Sequence, residues 1–82
     1  MSVKEQLRAF ITKNFYVPDP AQLGDDASLL DRGIIDSTGV LELTMFLEET
    51  FKIQVGDDEL VPENLDSIAN LEGYIGRKLG ST

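Results

Sequence analysis

Apolar residues recur at helical spacing near the start of the chain. They fall on one face of an α-helix: Val3, Leu7, Phe10 and Ile11. Ser2 followed by Glu5 has the spacing of a capping box, in which each side chain satisfies a backbone N–H of the other residue. The pattern predicts a helix from Ser2 to Phe15. Pro18 and Pro20 stop it, because proline has no N–H to continue the hydrogen-bond ladder.

A long connection without a regular period runs from Tyr16 to Asp36. Connections of this length inside a compact domain are uncommon and are often functional. Four apolar residues near its end predict that the connection packs on the core: Leu29, Leu30, Ile34 and Ile35.

A second helical pattern follows this connection. Asp36 and Ser37 are both good N-caps, so the helix is predicted to begin at one of them and to end at Phe51 or Lys52. Its core-facing stripe is Val40, Leu43, Thr44, Leu47 and Phe51. The opposite face carries two large apolar side chains among carboxylates: Thr38, Leu41, Glu42, Met45 and Glu49, with Glu48 at the edge.

The rest of the chain predicts a short helical turn and a closing helix. Asp57–Leu60 is long enough for one turn. The closing helix begins near Asp66 or Ser67 and ends at Gly80. Its apolar stripe is Ile68, Leu71, Ile75 and Leu79, with Tyr74 beside it. With no supported strand, the pattern predicts one all-α domain, a small four-helix bundle of three longer helices, one short helix and a long first loop.

The amino-acid composition argues against several classes of function. The chain has 82 residues, a formal net charge of -8, no Cys and no His. The negative charge argues against nucleic acid and anionic membrane surfaces, which are bound through clustered Lys and Arg. Without Cys and His the commonest nucleophiles, general bases and metal ligands are missing, so an enzyme is not expected. The carboxylates do not follow the spacing of an EF-hand loop, and no metal site is predicted.

The location is predicted to be cytoplasmic. No apolar run approaches the ~18 residues that a membrane helix needs, and the first residues lack the apolar core of a signal peptide. A monomer is expected, with no insertion into a membrane.

The acidic charge is concentrated in the middle of the chain. Eight acids against one base give residues 19–51 a charge of -7. Acidic residues on the surface usually serve to keep a small protein soluble. We interpret most of the acidic surface of this chain in this way. On the second helix, however, Leu41 and Met45 are surrounded by carboxylates, a pattern typical of a docking site for basic partners.

The start of the second helix carries the most specific motif. The motif comprises Gly33-Ile34-Ile35-Asp36-Ser37, then Val40-Leu41-Glu42-Leu43, then Phe46-Leu47-Glu48-Glu49-Thr50-Phe51. With the long loop before it and the closing helix with Tyr74-Ile75 after it, nearly the whole chain resembles the acyl carrier protein family, which includes peptidyl and aminoacyl carrier domains.

This resemblance implies a carrier function. Ser37, preceded by Asp36, would be the attachment residue for phosphopantetheine, which a separate transferase installs from coenzyme A. The thiol of the attached group would hold an acyl or aminoacyl cargo as a thioester. Partners would be the transferase, a loading ligase and downstream synthase or transferase enzymes with basic docking patches. The implied contact residues are Thr38, Leu41, Glu42, Met45, Glu48 and Glu49.

Two residues depart from the common pattern of the family. Thr38 stands where many members have Leu, and Gly39 follows it in place of a polar or acidic residue. These departures favour a dedicated carrier in a specialised biosynthetic pathway over the housekeeping carrier of fatty-acid synthesis.

A second hypothesis is an unmodified acidic adaptor that only binds a basic partner. Ser37 would then be an N-cap, and Ser37→Ala would cost ~1 kcal/mol of stability without loss of function. An enzyme ranks far behind both hypotheses, because no nucleophile–base pair is present.

Overall fold

The described part of the chain, residues 2–17, 19 and 23–80 of a computed structural model, is helical and contains no strand. Its α-helices are α1 (Val3–Asn14), α2 (Ser37–Phe51), α3 (Pro62–Leu65) and α4 (Ile68–Gly80). The predicted all-α bundle with three longer helices is confirmed. Pro18 and Pro20, the predicted stop of the first helix, lie outside the described residues.

The short element differs from its prediction. A 3₁₀ turn occupies Asp57–Glu59, close to the predicted turn, and the additional short helix α3 begins at Pro62. Proline suits the first turn of a helix, because the N–H it lacks would have no intrahelical partner there. Pro62 therefore starts a helix where the sequence pattern placed none.

The start of α1 is capped as predicted. The Glu5 N–H donates to Ser2 Oγ at 3.1 Å, and the Ser2 hydroxyl donates to the Glu5 carboxylate at 3.2 Å. The Glu5 side chain thus bonds the cap hydroxyl rather than the cap N–H. At the other end, the Phe15 N–H donates to the Ile11 carbonyl. The predicted bounds of this helix agree with the structure to within one residue.

The core combines side chains from the helices and from the long connection. Its buried apolar residues are Leu7, Ile11, Leu23, Leu29, Ile34, Ile35, Leu43, Leu47, Ile53, Leu65, Ile68, Leu71, Tyr74 and Ile75. On α2, Leu43 and Leu47 form the centre of the predicted stripe. The other members of that stripe are half-buried: Val40, Thr44 and Phe51.

Two predicted core residues are exposed. Leu30 is 41% exposed, although its neighbour Leu29 is fully buried. Leu79 is 49% exposed, because the last turn of α4 leaves this side of the helix uncovered. Both predictions of burial were therefore wrong.

The long connection is tied to α1 by charge. Lys4 Nζ lies 3.0 Å from Asp25 Oδ2, and the Arg8 guanidinium also contacts this carboxylate while donating to the Leu23 carbonyl. The hydrogen bond from Lys4 holds the pKa of Asp25 below its usual range. On the opposite side, the Ala69 N–H donates to the Asp25 carbonyl at 2.9 Å. Asp25 thus links α1, the connection and α4.

A second tie runs through Asp66, which lies between α3 and α4. The Ser28 hydroxyl lies 2.8 Å from both Asp66 carboxylate oxygens, and the Leu29 N–H donates to the Asp66 carbonyl at 2.7 Å. Ser67 provides the first-turn bond of α4, since its Oγ accepts from the Asn70 N–H at 3.0 Å. Of the two predicted starts of α4, Ser67 caps the helix and Asp66 anchors the loop.

Lys52 follows the last residue of α2 and adopts a left-handed backbone conformation with φ 59°. Its N–H donates to the Glu48 carbonyl at 3.1 Å, which caps the helix end. This conformation is energetically unfavourable for a residue with a Cβ, whereas glycine adopts it without that cost.

Replacing Lys52 by glycine is expected to raise the free energy of unfolding. Lys52→Gly should be ~1 kcal/mol more stable than Lys52→Ala, because both variants remove the charge and only glycine relieves the left-handed conformation. Urea denaturation of the two variants measures the difference. Equal stabilities would contradict the left-handed assignment.

Tyr74 of α4 is 2% exposed, and its hydroxyl has no hydrogen-bond partner among the described residues. Burial raises the pKa of Tyr74 to about 12, and the nearby Glu59 carboxylate contributes to the shift. Glu59 itself accepts from the Gly56 N–H at 2.8 Å and from Lys78 Nζ at 3.0 Å, bonds that lower its pKa. The 3₁₀ turn is thereby joined to α4.

The titration of Tyr74 can be observed alone in Tyr16→Phe, because the sequence holds two tyrosines. In the folded variant, phenolate absorbance should rise with a midpoint near pH 12. In urea it should rise near pH ~10. Since the folded pKa is the higher one, the linked stability is complete below pH ~10 and is lost as the pH rises through about 12. A single midpoint near 10 under both conditions would contradict the burial of this hydroxyl.

Candidate functional site

Ser37 is the first residue of α2, and Asp36 is its N-cap. The Asp36 carboxylate accepts the Gly39 N–H at 2.8 Å, and the Asp36 carbonyl accepts the Val40 N–H at 2.9 Å. Ser37 is exposed, and its hydroxyl makes no hydrogen bond within the described part of the chain. The capping role considered for Ser37 therefore belongs to Asp36, and the serine hydroxyl is left for another use.

The residues before Ser37 explain its position. Gly33 has φ 69°, a left-handed conformation that favours glycine, and its N–H closes a turn onto the carbonyl of residue 30. Ile34 and Ile35 then bury their side chains, and their N–H groups donate to the Leu29 carbonyl at 2.9 and 3.3 Å. This anchoring brings the chain out of the core at Asp36, with the following serine at the surface.

Gly39 holds the first turn of α2 close to the end of α1. It is buried, and a Cβ built on it would lie 2.8 Å from Phe15 Cε1. A side chain at this position would have to displace the Phe15 ring. The sequence marked Gly39 as a departure from the common pattern of the family; the structure adds that this residue permits the close packing.

The helix start suits an attached phosphate group. In a helix the first N–H groups have no carbonyl four residues earlier to accept them, and those of Ser37 and Thr38 are not used by the cap. The positive end of the helix dipole lies at the same place. A phosphodiester on the Ser37 oxygen would therefore be next to unpaired donors and a favourable potential.

The outer face of α2 is exposed as the sequence predicted. Leu41 and Met45 are each 60% exposed. The polar members of this face are also exposed: Thr38, Glu42 and Glu49. Glu48 differs, since it is half-buried and its Oε2 accepts the Val55 N–H at 3.0 Å. The Glu48 carboxylate therefore holds the segment after α2, and it also lies at the edge of the outer face.

An apolar cavity of about 190 Å³ lies beside the start of α2. Its lining residues are Leu30, Ile35, Val40, Leu60, Val61, Pro62 and Leu65. Leu30 is thus exposed to this cavity, which accounts for its incomplete burial. The sequence pattern does not reveal the cavity, because its walls come from separate segments.

Some of the acidic residues form ion pairs or caps. The described residues include no cluster of three or more His, Cys, Asp or Glu side chains that could hold a metal ion. Instead, Asp25 pairs with Lys4 and Glu59 pairs with Lys78. Among the described helices, none has the length and apolar character needed to cross a membrane.

Comparisons with known proteins identify the family of the chain. Residues 5–75 match the family described as a phosphopantetheine attachment site. The chain is 35% identical over 80 residues to the acyl carrier proteins of Campylobacter curvus and Campylobacter concisus, covering 98% of this chain and 99% of each relative. It is 29% identical, over the same shares, to the acyl carrier protein of Solidesulfovibrio magneticus. The chain therefore belongs to the acyl carrier protein family, whose covalently attached prosthetic group is phosphopantetheine.

Proposed function

We propose that this protein is a single-domain carrier that bears phosphopantetheine on Ser37 and presents an acyl or aminoacyl cargo to partner enzymes. The observation that supports this assignment most directly is the exposed Ser37 hydroxyl at the first position of α2, with the cap supplied by Asp36. When bound, phosphopantetheine supplies a thiol that holds the cargo as a thioester.

The residues of the chain position the attachment atom and do no catalysis. Asp36 fixes where α2 begins, and Gly39 lets that turn pack under Phe15. The Ser37 oxygen is thereby held at the surface, within reach of an external transferase. A chain without Cys and His offers no thiol or imidazole that would compete with the attached group, so the partners supply the chemistry.

Partner enzymes are proposed to dock on the outer face of α2. The contact residues are Thr38, Leu41, Glu42, Met45, Glu48 and Glu49. Leu41 and Met45 are exposed and lie among carboxylates. A partner with apolar recesses and basic patches would complement this surface. The partners are the phosphopantetheinyl transferase, a loading ligase and downstream synthase or transferase enzymes. Contacts of this kind give fast, weak and salt-sensitive association, which suits a carrier that visits several enzymes.

The cargo is proposed to be short and the pathway specialised. The partly open apolar cavity of about 190 Å³ beside the start of α2 would admit a short apolar group. Thr38 and Gly39, which depart from the common pattern of the family, support a dedicated carrier. A monomer in the cytoplasm is part of the same proposal.

Ser37→Ala and Asp36→Ala should separate attachment from capping. Ser37→Ala is expected to gain no mass when incubated with coenzyme A, Mg²⁺ and a broad-specificity phosphopantetheinyl transferase, while its stability stays within ~0.5 kcal/mol of wild type. Asp36→Ala should lose ~1 kcal/mol of stability, because the Gly39 N–H loses its acceptor. Intact mass and urea denaturation give the two readouts.

Wild type is the positive control and should gain one phosphopantetheine. No gain on wild type with several transferases would instead favour the unmodified acidic adaptor. A gain on Ser37→Ala would place the attachment at another residue.

Glu42→Lys and Met45→Ala should slow the same loading reaction several-fold at low salt, with melting temperatures nearly unchanged. Both side chains are exposed, so their loss affects docking rather than packing. Glu63→Lys on α3 makes the same change of charge at another exposed acid and should load at close to the wild-type rate. Equal slowing by the two lysine variants would show that only the net charge matters.

A further inference from the structure

A groove with an apolar floor lies between α1 and α2. It consists of two adjoining depressions of about 310 and 390 Å³. Phe10, Asn14 and Phe46 line both depressions. Ala9 adds to the first wall and Met45 to the second. The groove is shallow and shares no lining residue with the cavity beside the start of α2.

Packed aromatic rings form the floor of the groove. The rings of Phe10 and Phe46 lie 4.0 Å apart at 15°, and Phe15 and Phe51 meet them edge-on at 5.8 and 5.9 Å. Phe10 and Phe46 are half-buried, so the floor is partly open to solvent. Phe46 lies outside the predicted core stripe of α2. In the fold, its ring stacks on the ring of Phe10 instead.

The rim of the groove carries opposite charges on its two sides. Lys13 lies on the α1 side, and Glu42 and Glu49 lie on the α2 side. Within the described residues, none of these three side chains forms an ion pair or a hydrogen bond. Lys4 and Arg8 of the same helix α1 are both paired within the protein. The rim charges are therefore available to a partner.

We propose that this groove binds an amphipathic helix of a partner enzyme. Two large apolar side chains, one helical turn apart, would fill the depressions on either side of Asn14. Arg or Lys residues along one edge would face Glu42 and Glu49, and a carboxylate on the other edge would face Lys13. This inference rests on the proposed role of α2 in docking and extends it: the partner lies across α1 and α2, and the charged rim sets its direction.

A synthetic helical peptide with this pattern is the probe. It carries Leu at two positions four residues apart, Arg along one edge and Glu along the other, and a scrambled peptide of the same composition is the control. Titration into isotope-labelled full-length protein should shift the backbone resonances of Ala9, Phe10, Asn14, Met45 and Phe46. Fluorescence of a label on the peptide gives the dissociation constant.

Matched variants test the groove and its rim separately. Ala9→Trp should fill the first depression and weaken peptide binding roughly five-fold, whereas Leu79→Trp adds the same bulk on exposed α4 and should have no effect. Glu49→Lys should weaken binding roughly five-fold, while Glu63→Lys, with the same change of net charge, should change it less than two-fold. Melting curves identify any variant that fails to fold.

The proposal is overturned if the shifts map to Thr38, Leu41 and α3 alone, if the scrambled peptide binds as tightly, or if Glu49→Lys and Glu63→Lys behave alike. Ser37 loading of the same samples by the transferase is recorded independently. Normal loading without peptide binding rejects the groove and keeps the carrier function. Peptide binding without loading rejects the carrier function and keeps the groove.

Discussion

The hydrogen bond from the Gly39 N–H to the Asp36 carboxylate determines where α2 begins, and the exposure of Ser37 depends on it. If Ser37 were the cap, its hydroxyl would point into the first turn and be occupied there. Because Asp36 performs this role, Ser37 enters the helix with its oxygen unused. The acid before the serine thus has a physical task that does not require contact with any partner.

The charges of this protein serve two different purposes. Asp25 and Asp66 hold the long connection against α1 and α4, in addition to the apolar side chains that the connection buries in the core. The outer acids of α2 make no comparable internal contacts, apart from Glu48 and its bond to Val55. The acidic residues around the site therefore include some that hold the loop before Ser37 and some that remain on the surface beside it.

Regular periodicity was sufficient to locate the three longer helices, because each places an apolar stripe on a common core. It was not sufficient for α3, since four residues carry no period and Pro62 resembles a stop as much as a start. Likewise, the sequence pointed to Asp36 and Ser37 but could not decide which of them caps, because both residue types are good N-caps. The structure assigns the cap to Asp36, whose carboxylate accepts the Gly39 N–H. The cavity and the groove are assembled from distant segments, so local patterns could not reveal them.

The packing of the Phe15 ring against Gly39 restricts what sequence change can do at these two positions. A substitution that adds a Cβ at 39 needs a smaller or displaced neighbour at 15, and a smaller residue at 15 removes the reason for glycine at 39. Positions 15 and 39 are therefore expected to vary as a pair during the divergence of related chains. The end of α1 and the turn that presents Ser37 would then be inherited as one unit, although more than twenty residues separate them in the chain.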